Sequence, residues 1–401
     1  MGWLIECAQL FTPWQVRSPG RVWVEGDAIA ETGHRHRSVP SGCLRVDAGS
    51  CICVPGFIDA QSNGAFGHDV MGAFAGDIRA VAERLVAHGV TAFLPTAITA
   101  EAEEITAALV AVREAKNRPP PRAARILGAH TEGPFLNPER AGAHPVEYLR
   151  PFSPSLWAQW WDASGGTIRM VTLAPEIPGN LAAVAKLRGQ GIAVAMGHSN
   201  ATFEESQAAF QQGVGAVTHL FNAASPFHQR APGVVGAALL ADGVTASVIA
   251  DLEHVHPANL ALLFRMKGSH GVAVVTDQTA PAGCPPGEYM FAGKRVKTDT
   301  TSSRFADSGG LAGSITFMDQ SFRNLVAQGL ALRTAARACT TNPARMLGLR
   351  LGSIVSGYPA DLVLLDDTLS VQATMVGGQW VHGLEFVRQR TDGPAHLDAA
   401  R

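Results

Sequence analysis

The residues of this chain that could bind a metal or move a proton recur at the ends of apolar runs. Glu132 closes "RILGAHTEG", two places after His130; His198 closes "IAVAMGHSN", and His219 follows "AVT" in "AVTHLFNAA". His254 ends "ASVIADLEH", Asp277 follows "VAVVT" in "VAVVTDQTA", and Asp59, Gln61 and Asn63 sit in "ICVPGFIDAQSN". One carboxylate and two imidazoles form a donor set for a divalent ion with one position left open for water. Zinc suits that set first, and iron(II), cobalt or manganese also fit. Asp277 is then a free carboxylate that can take a proton from the attacking water and give it to a leaving amine. That chemistry is hydrolysis of an amide or a related bond. Taken singly, the same residues have quieter roles. Each His could be a hydrogen-bonded strand-end residue, Glu132 could cap the "EGPF" loop, and Asp277 could be a helix N-cap. Those roles give no reason for all of them to fall at the same end of successive strands.

Such a placement needs a fold that gathers strand ends. The steps from His198 to His219, His254 and Asp277 are roughly 20 to 35 residues, about one strand plus one helix each. The middle of the chain alternates strand-length apolar runs with amphipathic segments. Residues 77–88 put Ile78, Val81, Ala82, Leu85 and Val86 on one helical face with Gly89 as a C-cap. Residues 202–212 open on a capping box of Thr202 and Glu205 and stop at Gly213. "NLAAVAKLRGQG" behaves similarly. Eight strand runs are counted, starting at "ICVPGFIDAQSN" and ending at "VAVVTDQTA", and eight closes a (β/α)8 TIM-type barrel with its chemistry at the C-terminal strand ends. An open doubly wound sheet is the alternative, and it would concentrate ligands at one switch point. Residues 1–54 and 352–401 read instead as short strands broken by Gly and Pro, so the expected division is a small β-sandwich from both termini around a barrel of residues 55–351. The polar tail "RQRTDGPAHLDAAR" is expected to fray.

Bulk composition agrees with a large buried core. The chain has 401 residues, 46% hydrophobic and 16% charged, with net charge −2 and a pI near 6.7. No basic stripe invites nucleic acid, and no apolar run approaches the ~18 residues needed to span a bilayer. The start "MGWLIECAQLF" is a poor signal peptide. The six cysteines are scattered, which suits reduced thiols in a cytoplasmic protein. Cys51-Ile-Cys53 could begin a metal site, but no second pair stands nearby in sequence.

At this point the strings become recognisable. "PGFIDAQSNG", "HTEGPFLNPERAGAHP", "TLAPE", "GHSNAT", "THLFNA", "IADLEHVH", "VTDQTAPAG", "LAGS" and "NPARMLGL" resemble the amidohydrolase superfamily, and within it the N-acetylglucosamine-6-phosphate deacetylases. The closing "GSIVSGYPADLVLLD" is similar to that superfamily's return into its β-sandwich. The resemblance implies metal ligands at Glu132, His198 and His219 and a catalytic acid/base at Asp277. It implies a sugar-phosphate pocket from Ala143, His144, Asn222, Ala223, Arg230, Asp251, Leu252, Glu253, His254, Leu311, Ala312 and Gly313. The planar fork of Arg230 suits a phosphate. In this family that Arg can come from a neighbouring subunit, so a homodimer is expected.

Three departures stand out. Many amidohydrolases carry His-x-His at the end of the first strand, where this chain has Gln61-Ser-Asn63. Neutral amides are much poorer ligands than imidazoles, so one metal ion is expected, with Gln61 and Asn63 beside it. "NAASPFHQRAPG" lacks a Met-Pro after its Asn-Ala pair, and Leu252-Glu253 replaces Gly-Leu before His254. Both changes border the sugar pocket, which leaves open N-acetylgalactosamine 6-phosphate or another N-acyl amino sugar. A non-catalytic sugar-phosphate-binding paralogue is the reading from another class, and the presence of Glu132 and Asp277 speaks against it.

Overall fold

The computed structural model describes residues 2–33, 42–72 and 74–392. The two ends of the chain share one sheet. Its strands run in the order Gln379–His382, Val371–Val376, Leu362–Leu365, Cys43–Pro55, Gly2–Phe11, Gly20–Glu25 and Ala28–Gly33. All neighbours on this path are antiparallel except Gly2–Phe11 against Cys43–Pro55. Alternate residues point into a separate core that includes Ile5, Cys7, Val22, Val24, Cys51 and Cys53. The cysteines are free, and Cys51 and Cys53 belong to that apolar layer. The tail expectation needs correction on its first part. Arg388 and Gln389 complete the helix Leu384–Gln389, and Thr391–Asp392 pairs antiparallel with Arg45 and Val46. The rest of that tail lies outside the described residues.

Between the two ends lies a ring of parallel strands: Phe57–Ser62, Val90–Ile98, Ala129–Glu132, Ile168–Leu173, Ala193–Met196, Ala216–Val217, Thr245–Ile249 and Val272–Val275. They fall on the eight expected runs, with two differences: Val90–Ile98 and Thr245–Ile249 each start one residue earlier, and residues 52–55 of the first run belong to Cys43–Pro55 of the terminal sheet. The last strand returns to the first just beyond their ends, where Asn63 N–H donates to Gln278 O at 2.8 Å and Asp277 N–H to Gln61 O at 3.0 Å. The open-sheet alternative is thereby excluded. Every residue of Val90–Ile98 is buried, as expected of a parallel strand covered on both faces. Inside the ring Ala60, Leu94, Met170, Ala195, Ala216, Ile249 and Val275 form one packed layer with Leu347 against it, so the barrel is filled and not a pore.

Helices cover the outside of the ring. Ala75–Leu85 buries Ile78, Val81, Ala82 and Leu85; Val86 is buried too, but Val86–His88 tightens into a 3-10 turn before Gly89 at φ 72°. Phe203–Gln212 has the expected capping box between Thr202 and Glu205 and ends on Gly213 at φ 106°. Asn180–Gly189 is the third expected helix. Among the described residues no helix is long and apolar enough to cross a membrane. One element had no counterpart in the sequence reading. After the eighth strand, Gly287–Phe291, Lys294–Thr298 and Ser303–Phe305 form a small antiparallel sheet.

Candidate active site

The site is built from residues in unusual backbone conformations. His198 (φ 48°), His219 (28°), Leu252 (70°) and Asp277 (50°) lie just past the fifth, sixth, seventh and eighth strands, all with positive φ. Such strain persists only where surroundings over-determine it. Here His219 N–H donates to Ser247 Oγ at 2.8 Å, and Asp277 is gripped from both sides, its N–H on Gln61 O and its own carbonyl accepting from Ser314 N–H. Before His198, a side chain at Gly197 would bring Cβ within 2.8 Å of Thr172 and Thr218, so only glycine lets the chain pass.

The turns bring three distant donors together. Glu132 Oε1 lies 2.9 Å from His219 Nε2 and 3.3 Å from His198 Nε2. One ligand atom from each of the three residues lies within 4.8 Å of the others, and all three residues are buried. His198 Nδ1 sits 2.8 Å from Arg140 O; donation to that carbonyl leaves the Nε2 lone pair aimed at Glu132. His219 Nδ1 has no partner among the described residues. Two imidazole nitrogens and a carboxylate oxygen at these separations fit a divalent ion and leave a coordination position open.

Across the cavity Asp277 Oδ1 accepts from Asn63 Nδ2 at 2.6 Å and Gln61 Nε2 at 3.0 Å. The same Gln61 amide donates to Glu132 Oε2 at 3.0 Å, so it bridges the two carboxylates. Gln61 and Asn63 therefore turn N–H groups, which cannot ligate, toward the place where His-x-His would present lone pairs. Both donors meet one oxygen of Asp277 and leave Oδ2 for a proton.

Electrostatics separate the roles. Burial opposes charge on Glu132, yet hydrogen bonds from His198 and His219 hold its carboxyl well below the usual range. Burial also acts against His219, but Glu132 outweighs it and raises the imidazole to about 9. Burial, with the Glu132 charge adding to it, lifts Asp277 to about 6. Burial lowers His144 to about 3 and so keeps it neutral. Its Nδ1 accepts from Thr99 N–H at 3.3 Å and lies 2.8 Å from Thr99 Oγ1, which puts the remaining proton on Nε2 as a donor. His130 sits apart from this group. It is held at 2.8 Å from Thr172 Oγ1, and burial lowers it to about 4.

A cavity of about 190 Å³ opens over these groups. Of the residues singled out from the sequence, Asn63, Ala143, His144, Asn222, Ala223, His254, Leu311 and Gly313 line it together with Glu132, His198, His219 and Asp277. Asp251 stands behind His254, with Oδ2 2.6 Å from its Nδ1. Leu252 packs against the main core, and Ala312 is buried behind the cavity beside Phe291. Glu253 pairs with Arg304 at 3.3 Å on the surface. Arg230 is exposed and is not part of this wall. Ile98, Gly142, Ile249 and Phe291 complete the lining and were not singled out. Phe291 was legible in principle, since "EYMFAGKRVKT" alternates around a two-residue Ala-Gly turn.

Comparison with known proteins gives a consistent picture. The model of the amidohydrolase family matches residues 52–381. An N-acetylglucosamine-6-phosphate deacetylase of Lysinibacillus sphaericus is 36% identical over 363 residues, 89% of this chain and 92% of that protein. An N-acetylgalactosamine-6-phosphate deacetylase of Escherichia coli O157:H7 is 37% identical over 348 residues, 85% of this chain and 90% of that protein. Among solved structures, a mutant N-acetyl-D-glucosamine-6-phosphate deacetylase of Mycobacterium smegmatis in complex with N-acetyl-D-glucosamine-6-phosphate aligns with a TM-score of 0.89 at 32% identity, covering 95% of this chain and 99% of that one.

Proposed function

The chain belongs to the amidohydrolase family, and on that premise we propose that it hydrolyses the N-acetyl group of N-acetylglucosamine 6-phosphate to acetate and glucosamine 6-phosphate. The observation that carries this reading is the buried Glu132–His198–His219 group with Asp277 tied to it through the shared Gln61 amide. Glu132, His198 and His219 would hold one divalent ion per subunit, zinc first, with iron(II), cobalt or manganese as the other candidates. When bound, that ion supplies Lewis acidity, which makes water more acidic and a carbonyl more electrophilic.

The remaining work falls to side chains. Asp277, ionised above about pH 6, takes a proton from the attacking water at Oδ2. It returns that proton to the amide nitrogen as the carbon–nitrogen bond breaks, so the water's oxygen stays on the acyl carbon and the amine leaves neutral. His144 stays neutral and offers Nε2–H to an oxygen of the substrate. His254, oriented by Asp251, and the Asn222-Ala223 turn face the sugar. Arg230 would reach the phosphate from a neighbouring subunit, in a homodimer.

A second reading keeps the chemistry and changes the sugar. The N-acetylgalactosamine-6-phosphate deacetylase is as similar as the glucosamine one, and Leu252-Glu253 stands in place of the expected Gly-Leu before His254, which lines the pocket. A panel of N-acetyl hexosamines, with and without 6-phosphate, assayed for free amine after loading with zinc or iron(II), decides between them. Highest kcat/KM on N-acetylglucosamine 6-phosphate supports the first reading. Preference for the galactosamine epimer replaces it with the second, and release of no amine from any member overturns both.

A further inference from the structure

The catalytic cavity has a larger neighbour. A second cavity, of about 590 Å³, shares Ile98 and Phe291 with the first. The two residues therefore form a partition with space on both sides. Each is buried, at 5% and 4% exposure, and they pack with Val296, Phe305 and Ala312 in one apolar cluster. Phe291 is placed by its hairpin. It pairs with Lys294 across the two-residue turn Ala292-Gly293, whose residues have φ of 51° and 74°, the conformation that matches a two-residue hairpin to the strand twist. Strand alternation then sends Met290 to solvent, at 56% exposure, and Phe291 inward.

Barrel order fixes what meets this partition. Ile98 ends the second strand, whereas Asn222 and His254 follow the sixth and seventh. In a ring of eight, the second position faces the sixth across the mouth. An amide whose carbonyl carbon sits beside Glu132, His198, His219 and Asp277, with its nitrogen and sugar toward Asn222 and His254, must point its acyl carbon chain toward Ile98 and Phe291. Behind them the second cavity has a mixed wall, in which Met71, Ala100, Ala107 and Ala292 stand among Asp69, Glu104, Glu147, Tyr148 and Lys294. It has room for further methylenes, and its apolar residues include Ala292 beside Phe291 and Ala100 two places after Ile98.

We infer that Phe291 and Ile98 are the acyl-length stop of the deacetylation proposed above: they seat an N-acetyl methyl and exclude longer N-acyl chains from the space behind them. Phe291 is a specificity-determining residue in this account and takes no part in bond breaking. A methylene that cannot be accommodated, or is poorly accommodated, is discriminated about 10–200-fold in an apolar pocket.

The test compares kcat/KM for N-acetyl-, N-propionyl- and N-butyryl-glucosamine 6-phosphate with the zinc-loaded full chain. Wild type is expected to prefer acetyl over butyryl by more than about tenfold. Phe291→Ala is expected to raise the butyryl-to-acetyl ratio at least about tenfold, Ile98→Ala to move it in the same direction, and Phe291→Trp to leave it unchanged or lower it. The ratio is taken on one sample, so partial loss of folded enzyme cancels. Equal use of the three substrates by wild type, or an unchanged ratio in both alanine variants, overturns the acyl stop while leaving the deacetylase reading intact. Failure of wild type to release any acyl group overturns both.

Discussion

Replacing Asp277 by asparagine should remove proton transfer and leave the metal group standing. The side-chain geometry supports so narrow a change. Asp277 Oδ1 accepts from Asn63 and Gln61, and an asparagine oxygen can accept the same two bonds, so the substituted side chain keeps its place. Glu132, His198 and His219 make their contacts without Asp277, so one ion per subunit should still bind. A positioned general acid/base contributes about 10²–10⁴ in rate, which is about 2.7–5.5 kcal/mol of barrel-mouth transition-state stabilisation. Continuous assay of acetate release should therefore show kcat lowered by that factor, with metal content by elemental analysis unchanged. Burial and the Glu132 charge raise Asp277 to about 6 in the metal-free site, and a bound cation lowers it from there. The rate of the loaded wild type should therefore fall with an acid limb below about pH 6, where the carboxylate takes up a proton, and the variant should lack that limb. A kcat within threefold of wild type in metal-replete Asp277→Asn protein would refute the assignment of the proton carrier.

Other substitutions and conditions test the surrounding parts. His219 in the metal-free protein holds a proton up to about pH 9, so a metal must displace it; competition titration should show affinity falling about tenfold for each pH unit below that value. Gly313 has φ 61°, and a Cβ there would lie 2.5 Å from Thr279 and 2.9 Å from Asp277 O. Gly313→Ala should thus lower kcat by more than the fraction unfolded at the assay temperature accounts for, with both read by assay and calorimetry on one preparation. Arg230→Ala should reduce kcat/KM for the 6-phosphate by about tenfold or more, as expected for a lost charge-assisted contact, and leave unphosphorylated N-acetylglucosamine unaffected.

The candidate metal donors and the carboxylate beside them were legible because their context is local. Glu132, His198, His219 and Asp277 each follow a short β-branched or small-residue run, and a parallel barrel brings the same end of every such run to one mouth. The helix at 203–212 was legible because Thr202 and Glu205 cap it through contacts within one turn. What escaped depends on distant partners. Positive φ is ordinarily a glycine property, yet His198, His219 and Asp277 adopt it, and for His219 and Asp277 a backbone N–H donated to another strand fixes it. Gln61 and Asn63 read only as poor ligands, and the structure adds that their amides clamp two carboxylates. The alternation around the Ala-Gly turn marks a hairpin at Phe291 but not which of its residues turns inward, because only the end residue of that strand is buried, against Val296 and Phe305 of the same small sheet and against the distant Ile98.

The central claim is that Glu132, His198 and His219 hold one ion. Anomalous X-ray diffraction at the metal edge from crystals of zinc-loaded protein addresses it directly. The account expects one peak per subunit, within bonding distance of Glu132 Oε1, His198 Nε2 and His219 Nε2, and none at Gln61 and Asn63. A second peak at Gln61 and Asn63, or a single peak bonded to none of the three donors, would contradict it.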